Sequence, residues 1–515
     1  MQALPRLLIL GTAVSLALAS AHARPWTTAR TEHFELLSDA SESESRELLG
    51  KLEQFRAVVL RLFPLKQARE PRVSVVLFAS DRQFTPYKPR YKGKPRDAAA
   101  IFSGWPDEAV IAMTTEYTMD ITLRIVFHEY IHFLLHARGD FVPPWFDEGF
   151  AELFSTFSIR GDKFEIGRPI PEHVDVLRLN KFALGRLFAV RHEDAVYHMG
   201  DKVFYAESWG LLHFLMFGSH REAYLPKLAR FLEATSAPDA IIDRSFNQAF
   251  GMSYDQMEDE LRDYVFHGHC AISGGKLPLG DYSARIQFRP ASDFERDVAL
   301  LDLRWRLQES GGVAYELRQL AAAHPESPRP HEILAAIAEH DGDSAGAAEH
   351  WAKAAGLGSE NSYPYVRLAN NTLDQLLTGL SLDYRLPPAL AEKLRGWLDR
   401  AVALTPDDAE ANEALALVEA LSGQPRVRVV NHVQALVPQM RDTSRTLLAL
   451  ALIRLQTKDY ATCAKITAAL RASPRVPPDI KSVASQIDRR VASLAAEPAG
   501  DAAGGEAPPP GSADH

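Results

Sequence analysis

Hydrophobic positions along the chain change their period twice. Residues 33–37 (HFELL) read as a strand. Over 41–63, Leu48, Leu52, Phe55, Val59 and Leu62 recur at three- to four-residue spacing, which predicts a helix capped by Ser41 or Ser43. Residues 73–78 (VSVVLF) predict a buried strand, and 98–102 and 110–113 two more, separated by the turn Gly104-Trp105-Pro106-Asp107. A helix is predicted over 122–137, stopped at Gly139. Pro143-Pro144 cannot continue it, so another starts near Trp145 and runs to about Phe157. Residues 159–166 read as a hairpin around Gly161-Asp162, and helices follow over 202–217, 224–234 and 252–267. A small sheet followed by helices is the α+β order.

From about residue 293 the strand signals vanish and Ala and Leu dominate. Three segments have a helix-turn-helix outline. Residues 342–347 lead into 351–355, residues 398–404 end at Thr405-Pro406 before 409–421, and residues 458–463 lead into 466–470 and Pro474. They resemble tetratricopeptide repeats, whose units bury their faces only by stacking. The resemblance implies a concave surface for a peptide or protein partner. The alternative is a plain helical bundle.

At 515 residues, the chain has room for about three units. The expected division is a signal peptide at 1–23, a first domain at 24–285, helical repeats at 290–494 and a disordered tail at 495–515. The leader rests on Arg6, the apolar run 7–19 and the small-x-small site Ala21-His22-Ala23. The run is short for a membrane anchor, so the expectation is a periplasmic or secreted protein with no membrane span after processing. A net charge of −10 gives no basic face for nucleic acid. Two cysteines, Cys270 and Cys463, are too few for a disulfide framework, and they lie in different expected domains, so unpaired thiols are expected. Cys463 reads as core filler.

The chemistry is concentrated in His128-Glu129-Tyr130-Ile131-His132, inside the 122–137 helix. Histidines four apart on a helix point both imidazoles to one side, close enough to share one metal ion. Glu129 is turned toward the open side, where it can take a proton from water. Fifteen residues separate His132 from Glu148 in the run Trp145-Phe146-Asp147-Glu148-Gly149-Phe150-Ala151-Glu152, on a helix able to lie alongside and supply a carboxylate. Asp147, Glu148 and Glu152 all compete for that role. Asp147 and Glu148 also suit the first turn of a helix simply as acids. His136 continues the stripe, but eight residues of helix put it about 12 Å from His128. Two ligands of one ion lie about 3–4 Å apart, so His136 reads as a histidine favourable to the helix dipole. Leu135 and Arg138 stand where a metzincin needs Gly and His.

These residues resemble the gluzincin clan of zinc metallopeptidases, which includes thermolysin-like enzymes and aminopeptidases with an Asn-Glu-Gly-Phe-Ala run. The resemblance implies a zincin-like fold, Zn2+ held by His128, His132 and Glu148, Glu129 as general base, and Glu152 as acceptor for a ligand histidine. Phe204-Tyr205-Ala206-Glu207-Ser208-Trp209-Gly210 resembles the tyrosine helix of those aminopeptidases and implies Tyr205 as oxyanion donor, with Tyr197 and His198 as rivals. The Gly-Ala-Met-Glu-Asn run that holds a substrate amine there has no counterpart. Phe102-Ser103-Gly104 is nearest and lacks the carboxylate. The expected activity is hydrolysis of peptide bonds by zinc-activated water, with endo- and exopeptidase action both open, the former on an extended chain lying along the 110–113 strand. The competing expectation is a catalytically inactive zinc-binding or repeat-scaffold protein that works through its C-terminal helices. No Gly-x-Ser-x-Gly elbow points to a serine hydrolase.

Overall fold

A computed structural model describes residues 25–63, 72–105, 107–136, 142–198, 201–235, 241–268, 270–277, 282–308, 311–377, 379–440, 443–473 and 476–496. The leader and nearly all of the expected tail lie outside these residues. Among them, no helix is long and apolar enough to cross a membrane.

The architecture is α+β, a small mixed sheet followed by many helices. The six strands run in the order Phe288–Pro290, Thr27–Arg30, Phe34–Ser38, Arg72–Phe78, Glu108–Thr114, Ala100–Gly104. The three central strands are parallel to one another and the outer pairings are antiparallel. Helix Glu42–Leu62 connects the first two parallel strands, and a reciprocal capping box between Ser41 and Glu44 starts it. Of its predicted stripe, Leu48, Leu52, Phe55 and Val59 are fully buried, whereas Leu62 in the last turn is 40% exposed.

Strand alternation gives the sheet two buried faces. Leu36, Val75, Leu77 and Ile111 face the main core, shared with Glu42–Leu62 and the helix Met119–His136. Phe55 stacks on Phe127 at 4.0 Å and Phe34 lies 5.6 Å from Tyr130. Val76, Phe78, Val110 and Ala112 face the other way and pack on Leu303 and Leu307 of helix Asp293–Gln308.

One expectation needs correction. The 110–113 segment belongs to strand Glu108–Thr114, which is paired on both sides and buried at every position. It has no free backbone edge for a peptide. The outer strand at this end of the sheet is Ala100–Gly104. Several elements also go beyond the sequence reading. Strand Ser273–Lys276 joins the predicted hairpin, and Phe288–Pro290 joins the main sheet from beyond the expected end of the first domain at 285. Short helices at Pro171–Leu179, Leu184–Ala189 and Ile242–Phe250 lack a long enough apolar period to announce themselves.

The C-terminal region is helical and repeat-like. Arg329–His340 packs on Ser344–Gly356, Pro388–Leu404 on Ala409–Ser422, and Ser444–Gln456 on Tyr460–Ala472. The second helix of each pair is capped by an aspartate, Asp343, Asp408 or Asp459, accepting from the backbone N–H three residues on. Cys463 is buried in this core, and both cysteines are unpaired.

A buried ion network joins this region to the sheet. Arg306 donates to both carboxylate oxygens of Asp107 at 3.0 and 2.7 Å, and to Asp302 at 2.8 Å. Arg329 donates to Asp302 at 2.7 Å, to Glu332 at 3.0 Å and to Glu108. Two guanidinium groups thus face four carboxylates. Burial, reinforced by Glu108 and Asp107, pushes the Asp302 carboxyl up to about 6 against the pull of Arg306 and Arg329. Breaking a buried pair from one side strands the other charge. Arg306→Leu is therefore expected to cost about 3–5 kcal/mol in urea unfolding. Lys353→Ala, which removes an exposed ion pair with Glu349, is expected to change stability by less than about 0.5 kcal/mol.

Candidate metal centre

Helix Met119–His136 presents Val126, Phe127, Tyr130, Ile131 and Leu134 to the core, leaving His128, Glu129 and His132 half-buried on another side. Pro143 is extended, and Pro144 opens the next helix, Pro144–Ser155, in the first helical position. Asp147 falls in its first turn and Glu148 immediately after, and both are buried. The third wall is helix Lys202–Phe217, capped by Asp201. It crosses so close that a Cβ on Gly149 would lie 2.4 Å from the Ser208 carbonyl oxygen. Only glycine at 149 permits this approach, and the approach places the Tyr205 hydroxyl 3.1 Å from Glu148 Oε1, to which it donates.

Three donor atoms form a triangle. His128 Nε2 and His132 Nε2 are 3.2 Å apart, and Glu148 Oε2 lies 3.4 Å from the first and 3.5 Å from the second. Bonds of about 2.0–2.1 Å in a tetrahedral shell require edges of about 3.3 Å. Glu148 Oε2 is buried and has no hydrogen-bond partner among the described residues. A carboxylate oxygen left this way is costly unless a cation meets it. Two imidazoles, one carboxylate and an orphaned oxygen aimed between them fit a zinc ion.

A second layer orients the first. His132 Nδ1 is 2.8 Å from Asp147 Oδ1. The other Asp147 oxygen accepts from the Tyr197 hydroxyl at 3.0 Å and from His136 Nε2 at 2.8 Å. With its proton held on Nδ1 by Asp147, His132 offers Nε2 as a free lone pair. On the opposite side His128 Nδ1 faces Glu152 Oε1 at 3.7 Å, beyond a hydrogen bond. Glu152 Oε2 lies 3.4 Å from His173 Nε2.

The charges interlock. Burial opposes ionisation of Glu148, but the attraction of the facing His128 and His132 rings outweighs it and holds the carboxyl at about 2. Asp147 is held lower still against its burial by His132 and His136. Burial would lower His132, yet its hydrogen bond to Asp147 and the facing Glu148 carboxylate raise it well above its usual value. In the ion-free chain a proton on His132 supplies the positive charge, so a metal ion entering here displaces that proton. Burial and the Glu148 carboxylate raise the Tyr205 phenol beyond its ordinary range, and burial and Asp147 do the same to Tyr197. Both remain neutral donors.

Of the sequence-derived positions, His128, His132 and Glu148 come together at the triangle. Glu129 is half-buried, makes no hydrogen bond among the described residues, and lies close enough to Tyr205 to act on its phenol. The Tyr205 ring lies nearly parallel to that of His128, at 6.4 Å. Tyr197 is turned to Asp147, and the His198 side chain lies outside those described. Asp147, weighed above as a ligand, has both oxygens engaged at hydrogen-bond length by His132, His136 and Tyr197. The orienting trio of Asp147, His136 and Tyr197 carries no sequence signal beyond its proximity to the motif. His173 carries none, because nothing in spacing links it to Glu152.

Asp147→Asn is expected to weaken zinc binding about 10- to 100-fold in competition with a chromophoric chelator. Gly149→Ala forces apart the helices bearing Glu148 and Tyr205. Overpacking of this kind is expected to lower stability by about 1–3 kcal/mol in urea unfolding.

No protein-family model, curated protein or solved structure matches the chain.

Proposed function

We propose that the chain is an exported zinc peptidase of the gluzincin type, acting as an endopeptidase on extended polypeptide. The observation that carries this reading is the 3.2–3.5 Å triangle of His128, His132 and Glu148 with its orphaned carboxylate oxygen. Those three residues hold the ion. When bound, zinc supplies Lewis acidity, which polarises a carbonyl and brings the pKa of water toward neutrality.

The chain's own residues do the rest. Glu129, one residue after a ligand and free of hydrogen bonds among the described residues, takes the proton of the attacking water and passes it to the leaving nitrogen. Tyr205, neutral and already donating into the site, turns its hydroxyl from Glu148 to the carbonyl oxygen as charge develops there. Asp147 keeps His132 in the ligating tautomer.

Two surfaces favour an extended, partly apolar substrate. Strand Ala100–Gly104 has one partner strand in the sheet, and its Phe102 packs on Phe133 of the motif helix at 5.8 Å. A peptide can add to such an edge through backbone hydrogen bonds. Ile121 and Ile125, 58% and 36% exposed, lie two turns and one turn before Glu129 on the same stripe of the helix.

The test is a digest of a quenched-fluorescence peptide library by the mature protein, with parallel metal analysis. Glu129→Gln is expected to retain zinc and lose about 10²- to 10⁴-fold in hydrolysis. A chelator is expected to abolish cleavage and added zinc to restore it. Cleavage undiminished in Glu129→Gln would overturn Glu129 as the base, and no cleavage by the zinc-loaded wild type would overturn the peptidase in favour of a scaffold.

A further inference from the structure

A second pair of histidines meets in the helical region. His331 on Arg329–His340 and His350 on Ser344–Gly356 face each other with Nδ1 atoms 3.1 Å apart. Their rings are 5.2 Å apart and inclined by 26°. Both are half-buried in an open cleft whose lining includes Ala321, Ala322, Arg318, Glu349 and Lys353. Burial and the Lys353 ammonium hold His331 below its usual value, and burial, His331 and Lys353 do the same to His350. Two neutral imidazoles at this distance share one proton, with one ring donating from Nδ1 and the other accepting. The separation nearly equals the 3.2 Å between the ring nitrogens of His128 and His132. It also suits two nitrogens bound to one first-row ion at about 2.0–2.1 Å.

We propose that His331 and His350 form a separate transition-metal site that takes Cu2+, Ni2+ or Zn2+ through two imidazole nitrogens, with water completing the shell. The donating ring moves its proton from Nδ1 to Nε2, which frees both facing lone pairs with no net proton release. Imidazole pairs suit these ions, with Cu2+ bound most tightly. Glu349, beside His350 in sequence and paired to Lys353 at 2.7 Å, offsets the ammonium's repulsion of the ion. Small residues at 321 and 322 leave room for water. The bound ion ties the two helices of one hairpin together. This site is independent of the His128 centre and of any peptidase activity.

Equilibrium dialysis of the full chain against Cu2+ tests the assignment, with His331→Ala and His350→Ala beside the wild type so that the first centre is common to all. The wild type is expected to take up one more Cu2+ per chain than either variant. That ion should show nitrogen hyperfine coupling in electron paramagnetic resonance, and removing either imidazole should weaken it about tenfold or more. Added Ni2+ should raise the thermal midpoint of the wild type by more than that of either variant, which keeps only the first centre. His350→Gln, which keeps a polar group at the half-exposed position, covers the case in which alanine disturbs folding, and it too should lose the ion. Equal uptake by wild type and variants, or no nitrogen-coupled signal in the wild type beyond that of the variants, would leave only an N–H···N hydrogen bond and overturn the site.

Discussion

Two carboxylates adjacent in sequence, Asp147 and Glu148, are taken out of water near the start of one helix, and the local structure is arranged around that cost. Each needs positive charge or hydrogen-bond donors within about 3 Å to be tolerated there. Asp147 obtains them from His132, His136 and Tyr197. Glu148 obtains one from Tyr205 and keeps an oxygen unsatisfied toward the two imidazoles. The motif helix, the acidic helix and the tyrosine helix must therefore converge on these two side chains. His132 lies between the carboxylates, bonded to one through Nδ1 and facing the other through Nε2, so it transmits the charge of Asp147 to the ligand face of the site.

That convergence depends on steric permission as much as on charge. Pro144 in the first helical position starts the acidic helix with no unsatisfied N–H of its own. Gly149, one residue after Glu148, lets the tyrosine helix seat its Ser208 carbonyl where any side chain would stand. Leu212, one turn on from Ser208, closes on the same spot, its Cδ1 3.0 Å from where that side chain would begin. The order Glu148-Gly149 thus couples a ligand to a close approach, which is a physical reason for these two residue types to be neighbours.

The histidine pair was legible because helical period alone puts residues 128 and 132 on one side, and the strands at 73–78 and 108–114 were legible as apolar runs. The third carboxylate was narrowed to Asp147, Glu148 or Glu152 but not separated by spacing, because all three lie within about one and a half turns of one helix. Only the crossing of the helices assigns Glu148 to the imidazole pair and Asp147 to the back of His132. The roles of Tyr197 and His173 were illegible because they depend on short helices whose positions follow from packing. The placement of a peptide along 110–113 failed for a similar reason. An apolar run reveals a strand, but whether that strand lies at an edge is set by pairing with distant residues, here 72–78 and 100–104.

The same pairing explains why the helical region matters to the front of the molecule. Edge strand Ala100–Gly104 and buried strand Glu108–Thr114 are joined by a turn that contains Trp105 and Asp107. Trp105 packs on Trp305 at 4.6 Å and on His340 at 5.3 Å, while Arg306 grips Asp107 with two hydrogen bonds. The turn presenting the edge is therefore clamped by side chains from the first and third helices of the C-terminal region. A freely tethered repeat domain would leave this hairpin to its own short-range hydrogen bonds. Here the edge is held by a buried ion network and an aromatic stack, so displacement of helix Asp293–Gln308 is transmitted to the strand on which an extended substrate would lie. In the proposed enzyme, the repeats and the peptide-binding edge are mechanically one unit, and a partner bound to the helices has a direct physical route to the edge beside the catalytic centre.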